Sequence, residues 1–250
     1  MDLYLKGKTA VVSGASQGIG KAITKALALE GVKVLAVARN EKLLKDLQEQ
    51  VRIEGGIEPV ILVQDFVAID APQKITAAAL LKLGHVDILI NNAGQSRALS
   101  VVGAEEEWDA AMTLDFDRHR QLTQQLLPHF MERKQGVILN ITSTYELRSV
   151  NASAVAKASI VVWSKQLAGE LGPMGIRVNC LQPGLIDTAN IRRVFKDEEI
   201  KPFAEKEIPL GEFGRAEDMA NMAVFLVSDR ARYVTGSVAV VDGGFRRHAF

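Results

Sequence analysis

The chain has 250 residues, 48% of them hydrophobic and 24% charged, which is enough for one large α/β domain with a full core. Thirty basic and thirty acidic side chains cancel to a formal net charge of zero, so no global field favours nucleic acid or an anionic membrane. The one cysteine, Cys180, excludes an internal disulfide, and no apolar run reaches the roughly 18 residues that a membrane span needs. Residues 1–8 mix charged and apolar side chains without a signal-type apolar core, and the expectation is a cytoplasmic protein with neither nucleic acid nor membrane as a partner.

Residues 9–12 form an apolar run that reads as a buried strand. The turn Gly14-Ala15-Ser16-Gln17-Gly18-Ile19-Gly20 follows and opens a helical pattern that runs to about residue 30. A strand, a glycine-rich turn and a helix are the parts of a dinucleotide phosphate site. Gly14 allows the tight turn, Gly18 lets backbone approach a pyrophosphate, and Gly20 lets the helix pack against the strand. The helix N-terminus adds unpaired N–H groups and a positive dipole end. Glycines also mark ordinary turns, so the triplet by itself does not decide between the two.

The spacing of the glycines, three residues between the first two and one between the last two, resembles the T-G-x-x-x-G-x-G pattern of the short-chain dehydrogenases/reductases, with Ser13 in the place of Thr. Apolar runs then alternate with amphipathic helical stretches. The runs are 32–37, 59–64, 86–90, 136–141, 176–182 and 237–241, with helices expected at 41–54 and 71–83. This rhythm predicts right-handed βαβ crossovers: an α/β, single-domain, Rossmann-type doubly wound parallel sheet over residues 1–250, with helices on both faces. The ligand crevice belongs at the carboxyl ends of the strands.

The second strand ends Val37-Ala38-Arg39-Asn40. An acid at that place would bond a ribose 2′-hydroxyl and repel a 2′-phosphate, whereas Ala38 followed by Arg39 favours NADP(H) over NAD(H). The alternative is a solvated loop arginine. Asp65, at the end of the third run, matches the aspartate that the resemblance places at the adenine. The fourth run ends Asn91-Asn92-Ala93-Gly94, the family's N-N-A-G signature residue for residue, and it assigns Asn92, Ala93 and Gly94 to the cofactor wall.

The resemblance implies a proton-transfer set of Asn, Ser, Tyr and Lys, the last two spaced Y-x-x-x-K. Two of the four are kept. Ser143 stands at the serine position and Lys157 at the lysine position, but four residues before Lys157 is Ser153. Trp108 is followed seven residues later by Asp115 where the family has Asn. The stretch between Ser143 and Lys157 is about three residues shorter than the resemblance implies.

A carboxylate at Asp115 either pairs with Lys157 and raises its pKa, or simply faces solvent from a helix. A serine hydroxyl is a far weaker acid than a phenol of pKa about 10, so Ser153 cannot replace tyrosine as a general acid near neutrality without help. Tyr145 offers a phenol from another direction or serves as an aromatic wall. Glu146 is a carboxylic acid or base if partly buried, and Glu146 and Arg148 are otherwise surface loop residues. A water or the substrate itself is the remaining proton source.

Downstream, Arg177-Val178-Asn179 and Pro183-Gly184-Leu185-Ile186-Asp187-Thr188 follow the family's R-V-N-x-x-x-P-G-x-x-x-T, which implies that Pro183 and Gly184 shape the backbone beside the nicotinamide and that Thr188 bonds its carboxamide or a phosphate. Residues of about 189–212 fall where the family carries a mobile substrate lid, with Ile191, Val194, Phe195 and Phe203 as pocket walls; a plain amphipathic helix pair is the alternative. The resemblance also implies a homotetramer or homodimer. The functional expectation is an NADP(H)-dependent oxidoreductase moving hydride between nicotinamide and a small carbonyl or alcohol substrate. Its rivals are a nucleotide-binding protein without redox turnover and a non-redox lyase or isomerase.

Overall fold

Runs in which every residue is apolar have no face to give to water, so they fit only in a sheet covered on both sides. A computed structural model, which describes residues 1–96, 98–144 and 149–247, places them there. The strands are β1 (Thr9–Ser13), β2 (Lys33–Ala38), β3 (Val60–Val63), β4 (Ile88–Asn91), β5 (Gly136–Ile141), β6 (Ile176–Pro183) and β7 (Val238–Val241). They form one sheet in the order β3-β2-β1-β4-β5-β6-β7, and every pair is parallel. Among the described residues the four central strands, β1, β4, β5 and β6, are buried almost throughout, while the edges β3 and β7 are only partly covered.

Successive side chains of a strand point to opposite faces, and both faces here are filled. Ala10 and Val12 of β1 enter a layer with Ile23 and Leu27 of α1 (Gly18–Leu29) and Met219 and Ala223 of α8 (Ala216–Val227). Val11, between them, enters the opposite layer with Ile75 of α3 (Ala71–Leu83), Leu122 and Phe130 of α5 (Arg118–Arg133) and Leu171 of α6 (Ala152–Leu171). Helices α2 (Glu41–Ile53), α4 (Glu105–Met112) and α7 (Asp197–Glu207) complete the chain.

Two details of this frame position the site. The strand order reverses between β1 and β4, which opens a crevice at their carboxyl ends. Between α4 and α5 the helix does not break but widens into a π-helical turn, Thr113–Asp117. Such a turn inserts an extra residue and rotates the side chains that follow, and it is frequent at functional sites.

Candidate active site

The glycine loop is braced from β4. Ser13 Oγ accepts the N–H groups of Asn92 (2.9 Å) and Ala93 (3.1 Å), and the Asn92 side-chain amide donates back to the carbonyls of Ser13 (3.0 Å) and Gly14 (3.2 Å). A Cβ on Gly20 would lie 2.2 Å from the Gly14 oxygen and 2.3 Å from Asn92 Nδ2, so the close meeting of loop, helix and β4 depends on that glycine. Gln17 at the α1 N-cap is extended and makes no side-chain cap bond, which leaves the first-turn N–H groups without a side-chain acceptor there.

A cleft of about 560 Å³ runs along these carboxyl ends. Gly14, Ser16, Gln17, Gly18, Ile19 and Gly20 line it, as do Arg39, Asp65, Asn92, Ala93, Gly94, Pro183 and Thr188. At its far end it reaches Asp115, Ser143, Ser153 and Lys157. Gly184 is set behind the lining, where its Cβ position faces Asp242 at 2.6 Å. The Asn40 side chain caps α2 by accepting the Leu43 N–H (3.1 Å), so the helix starts directly after Ala38 and Arg39.

At the far end the structure decides between readings that the sequence left open. Asp115 does not face solvent: the π turn carries it inward until it is 1% exposed, with Oδ1 3.8 Å from Lys157 Nζ. Lys157 is itself 6% exposed, and its ammonium donates to the carbonyls of Ile141 (3.1 Å) and Ala93 (3.3 Å). Asp115 does push the Lys157 pKa up, but the expectation of a raised net value is overturned, because burial disfavours the charged ammonium more than the carboxylate favours it, and the pKa lies below its ordinary value. Ser153 turns its hydroxyl to the backbone, donating to the Gln95 carbonyl at 2.5 Å.

Thr142 Oγ1 turns back onto the Leu181 carbonyl (3.4 Å), whereas Ser143, next in the chain, lines the cleft. Tyr145, Glu146 and Arg148 lie outside the described residues. Past Thr188, the cleft edge is made by Ala189, Asn190 and Arg193. Ile191, Phe195 and Phe203 are not among the lining residues; they pack with Phe213, and the three phenylalanine rings meet edge to face. Val194 points to solvent.

The family profile described as enoyl-(acyl carrier protein) reductase matches residues 14–246. The chain belongs to the short-chain dehydrogenase/reductase family. It is 34% identical over 247 residues to the 3-oxoacyl-[acyl-carrier-protein] reductase FabG of Thermotoga maritima, covering 97% of this chain and 99% of that protein. It is 35% identical over 247 residues to the 2-dehydro-3-deoxy-D-gluconate 5-dehydrogenase of Bacillus subtilis, at 96% and 95% coverage. Among solved structures it is similar to the L-sorbose reductase of Gluconobacter frateurii complexed with NADPH and L-sorbose, with a TM-score of 0.93 and 31% identity over 99% of this chain and 100% of that one.

For a short-chain dehydrogenase/reductase, four residues at this end escaped the sequence reading. His119, one turn after Asp115, is fully buried and donates from Nε2 to the same Ala93 carbonyl that holds Lys157 (2.7 Å). Its spacing of four from Asp115 was the one sequence signal, and a lone histidine in a helix is ordinarily a surface or core residue. Asn151 caps α6 by accepting the Ala154 N–H (3.0 Å) and donates to Ser96 Oγ (3.1 Å). Asn followed by a helical pattern is a readable cap. Gln95 and Arg193 line the cleft from loops, where no periodicity marks them.

Proposed function

We propose that this short-chain dehydrogenase/reductase uses NADP(H) to interconvert a carbonyl and an alcohol on a small polar substrate. The observation that carries this is the continuity of one cleft, with the glycine loop, Arg39 and Asp65 at one end and Ser143 and Lys157 at the other. The residues fit the cofactor: a Cβ on Gly18 would reach to within 3.3 Å of Thr188, which lines the same cleft, so the missing side chain keeps the cradle open at that point. When bound, the cofactor supplies or accepts a hydride.

The chain's own residues do the rest. Backbone N–H groups of residues 14–20 and the positive end of α1 hold the diphosphate. Arg39 meets a 2′-phosphate, with Ala38 offering no acid to oppose it, and Asp65 meets the adenine. Asn92, Ala93 and Gly94 wall the ribose, Lys157 anchors it, and Pro183, Gly184 and Thr188 shape the carboxamide end. Ser143 orients the substrate oxygen. Ser153 gives its hydrogen to Gln95, so the proton comes from Tyr145 or from water.

The cleft that Ser143 lines carries further polar groups: Gln95, Ser96, Asn151, Asn190 and Arg193 line it too. A hydroxylated or carboxylated carbonyl compound matches such a lining better than an alkyl ketone, and two of the relatives are named for sugar substrates. Residues 189–212 act as the lid, supported by the exposure of the 3₁₀ turn Ile191–Arg193 at the cleft edge. A homodimer or homotetramer completes the reading, supported by Val155 and Val162 standing exposed on α6.

A second reading, cofactor binding without turnover, draws its support from the same Ser153 bond, which commits the Ser153 hydrogen to a backbone carbonyl. The test is NADPH binding by fluorescence, followed by NADPH oxidation with L-sorbose, keto-sugar acids, simple ketones, aldehydes and quinones. NADPH is expected to bind ahead of NADH and to be oxidised by a hydroxylated ketone. Ser143→Ala should then lower kcat/KM about 10²-fold. Loss of activity in Tyr145→Phe assigns the proton to the phenol, and its retention assigns it to water. Binding with no oxidation across the panel favours the second reading.

A further inference from the structure

The two departures from the family pattern, Asp115 and Ser153, meet at one residue. The Gln95 N–H donates to Asp115 Oδ1 (3.3 Å), and the Gln95 carbonyl accepts from Ser153 Oγ (2.5 Å). These bonds hold the two peptide planes on either side of the Gln95 Cα, so together they restrict both of its backbone dihedrals and the direction of its Cβ. Both anchors are buried on helical turns: Asp115 is 1% exposed on the π turn and Ser153 is 5% exposed in the first turn of α6.

The rest of the loop is tied to the same place. Asn151 Nδ2 donates to Ser96 Oγ, the Leu99 N–H donates to the Val150 carbonyl (2.9 Å), and Ala98 pairs with Asn151 in an antiparallel bridge. Gly94 lets the chain cross the buried pair, since a Cβ there would fall 2.6 Å from Asp115 Oδ1 and 3.2 Å from Lys157 Nζ. The outcome is an exposed glutamine that lines the cleft alongside Ser143 and Lys157, with no hydrogen bond to its carboxamide among the described residues.

We propose that Asp115 and Ser153 are positioning residues that fix Gln95, and that the Gln95 carboxamide contacts the substrate and orients its oxygen. The proposal rests on the reading under Proposed function. A primary amide offers two N–H donors and one acceptor but no transferable proton near neutrality, so it suits a carbonyl or a hydroxyl neighbour and leaves proton transfer to another group. A residue fixed at both its peptide planes loses little freedom when it takes up a ligand.

The experiment is a double-mutant cycle of Gln95→Ala and Ser153→Ala, measured as NADPH affinity, as kcat/KM with L-sorbose and the same panel, and as amide hydrogen exchange at Gln95. Gln95→Ala should keep NADPH affinity within about twofold while kcat/KM falls about tenfold, the worth of one hydrogen bond to substrate. Ser153→Ala should lower kcat/KM in the wild-type background, cost nothing further in the Gln95→Ala background, and quicken exchange of the Gln95 N–H. Ser153→Thr, which keeps the hydroxyl, should restore both. Equal costs of Ser153→Ala in the two backgrounds overturn the proposal, as does an unchanged kcat/KM in Gln95→Ala. If NADPH binds and wild type oxidises none of it, the oxidoreductase reading fails, and exchange then decides the clamp: a quickened Gln95 N–H in Ser153→Ala supports it and an unchanged one overturns it.

Discussion

His119 shows how one buried side chain ties the two ends of the cleft together. Its ring packs on Phe66, at 4.9 Å between centroids, and Phe66 lines the cleft beside Asp65. Because the Ala93 carbonyl can only accept, His119 Nε2 carries the hydrogen, and Ala93 holds histidine and lysine at once. Burial first, and then the nearby Lys157 charge, push the His119 pKa well below its ordinary 6.5. The unfolded chain therefore binds a proton on His119 below about pH 6.5 that the folded protein refuses, so this residue's contribution to stability is full above that pH and is lost on acidification. Relative to His119→Gln, the wild type should lose up to about 1.4 kcal/mol per pH unit on going below pH 6.5, read from urea melts. Cys180, by contrast, is a packing residue, its thiol pushed up to about 11 by burial.

At the scale of elements, two glycines in helices separate a packing constraint from a mere preference. Gly20 in α1 faces the Gly14 carbonyl, which is backbone and has little freedom to withdraw. Gly20→Ala should cost about 1–3 kcal/mol in chemical denaturation and weaken NADPH binding, because the loop must shift to admit the methyl group. Gly169 in α6 is exposed and would place its Cβ in open space. Gly169→Ala should leave NADPH binding alone and stabilise the single folded chain by about 0.5–1 kcal/mol, through a smaller entropy loss on folding. The same scale explains the far end of the cleft. The π turn Thr113–Asp117 brings Asp115 over Lys157, and the first turn of α6 brings Ser153 to Gln95, so two helices from distant parts of the chain grip one loop.

For the whole molecule, the sheet order is what makes the cleft, since the reversal between β1 and β4 sends the following helices to opposite faces and leaves the strand ends open. A ligand seated there binds only the folded chain. At free NADPH about 100 times its Kd, the folded state should gain about 2.7 kcal/mol. For a chain of this size that raises the Tm by about 5–10 °C. NADH should give a smaller shift, and Ala38→Asp should reverse the order of the two, because a carboxylate at that strand end repels a 2′-phosphate and bonds a 2′-hydroxyl. A common shift for both cofactors in wild type would remove Arg39 from the specificity argument. No described helix is long and apolar enough to cross a membrane.

The amino-acid sequence by itself determined the fold, because a strand buried on both faces must be apolar throughout and a glycine-rich turn leaves a spacing that survives in the chain. The runs at 9–12, 32–37 and 136–141, the loop Gly14 to Gly20 and Asn92-Ala93-Gly94 were all legible on that ground, and the departures at Ser153 and Asp115 were visible as letters. What those departures do was decided by tertiary structure. A π turn has no composition signature, so Asp115 could not be told from a solvent-facing residue. The lowering of the Lys157 pKa depends on how much water is excluded, a property of the packed core rather than of any pair of residues. Gln95, held by two residues 20 and 58 positions away, became part of the site only when folding brought them to it.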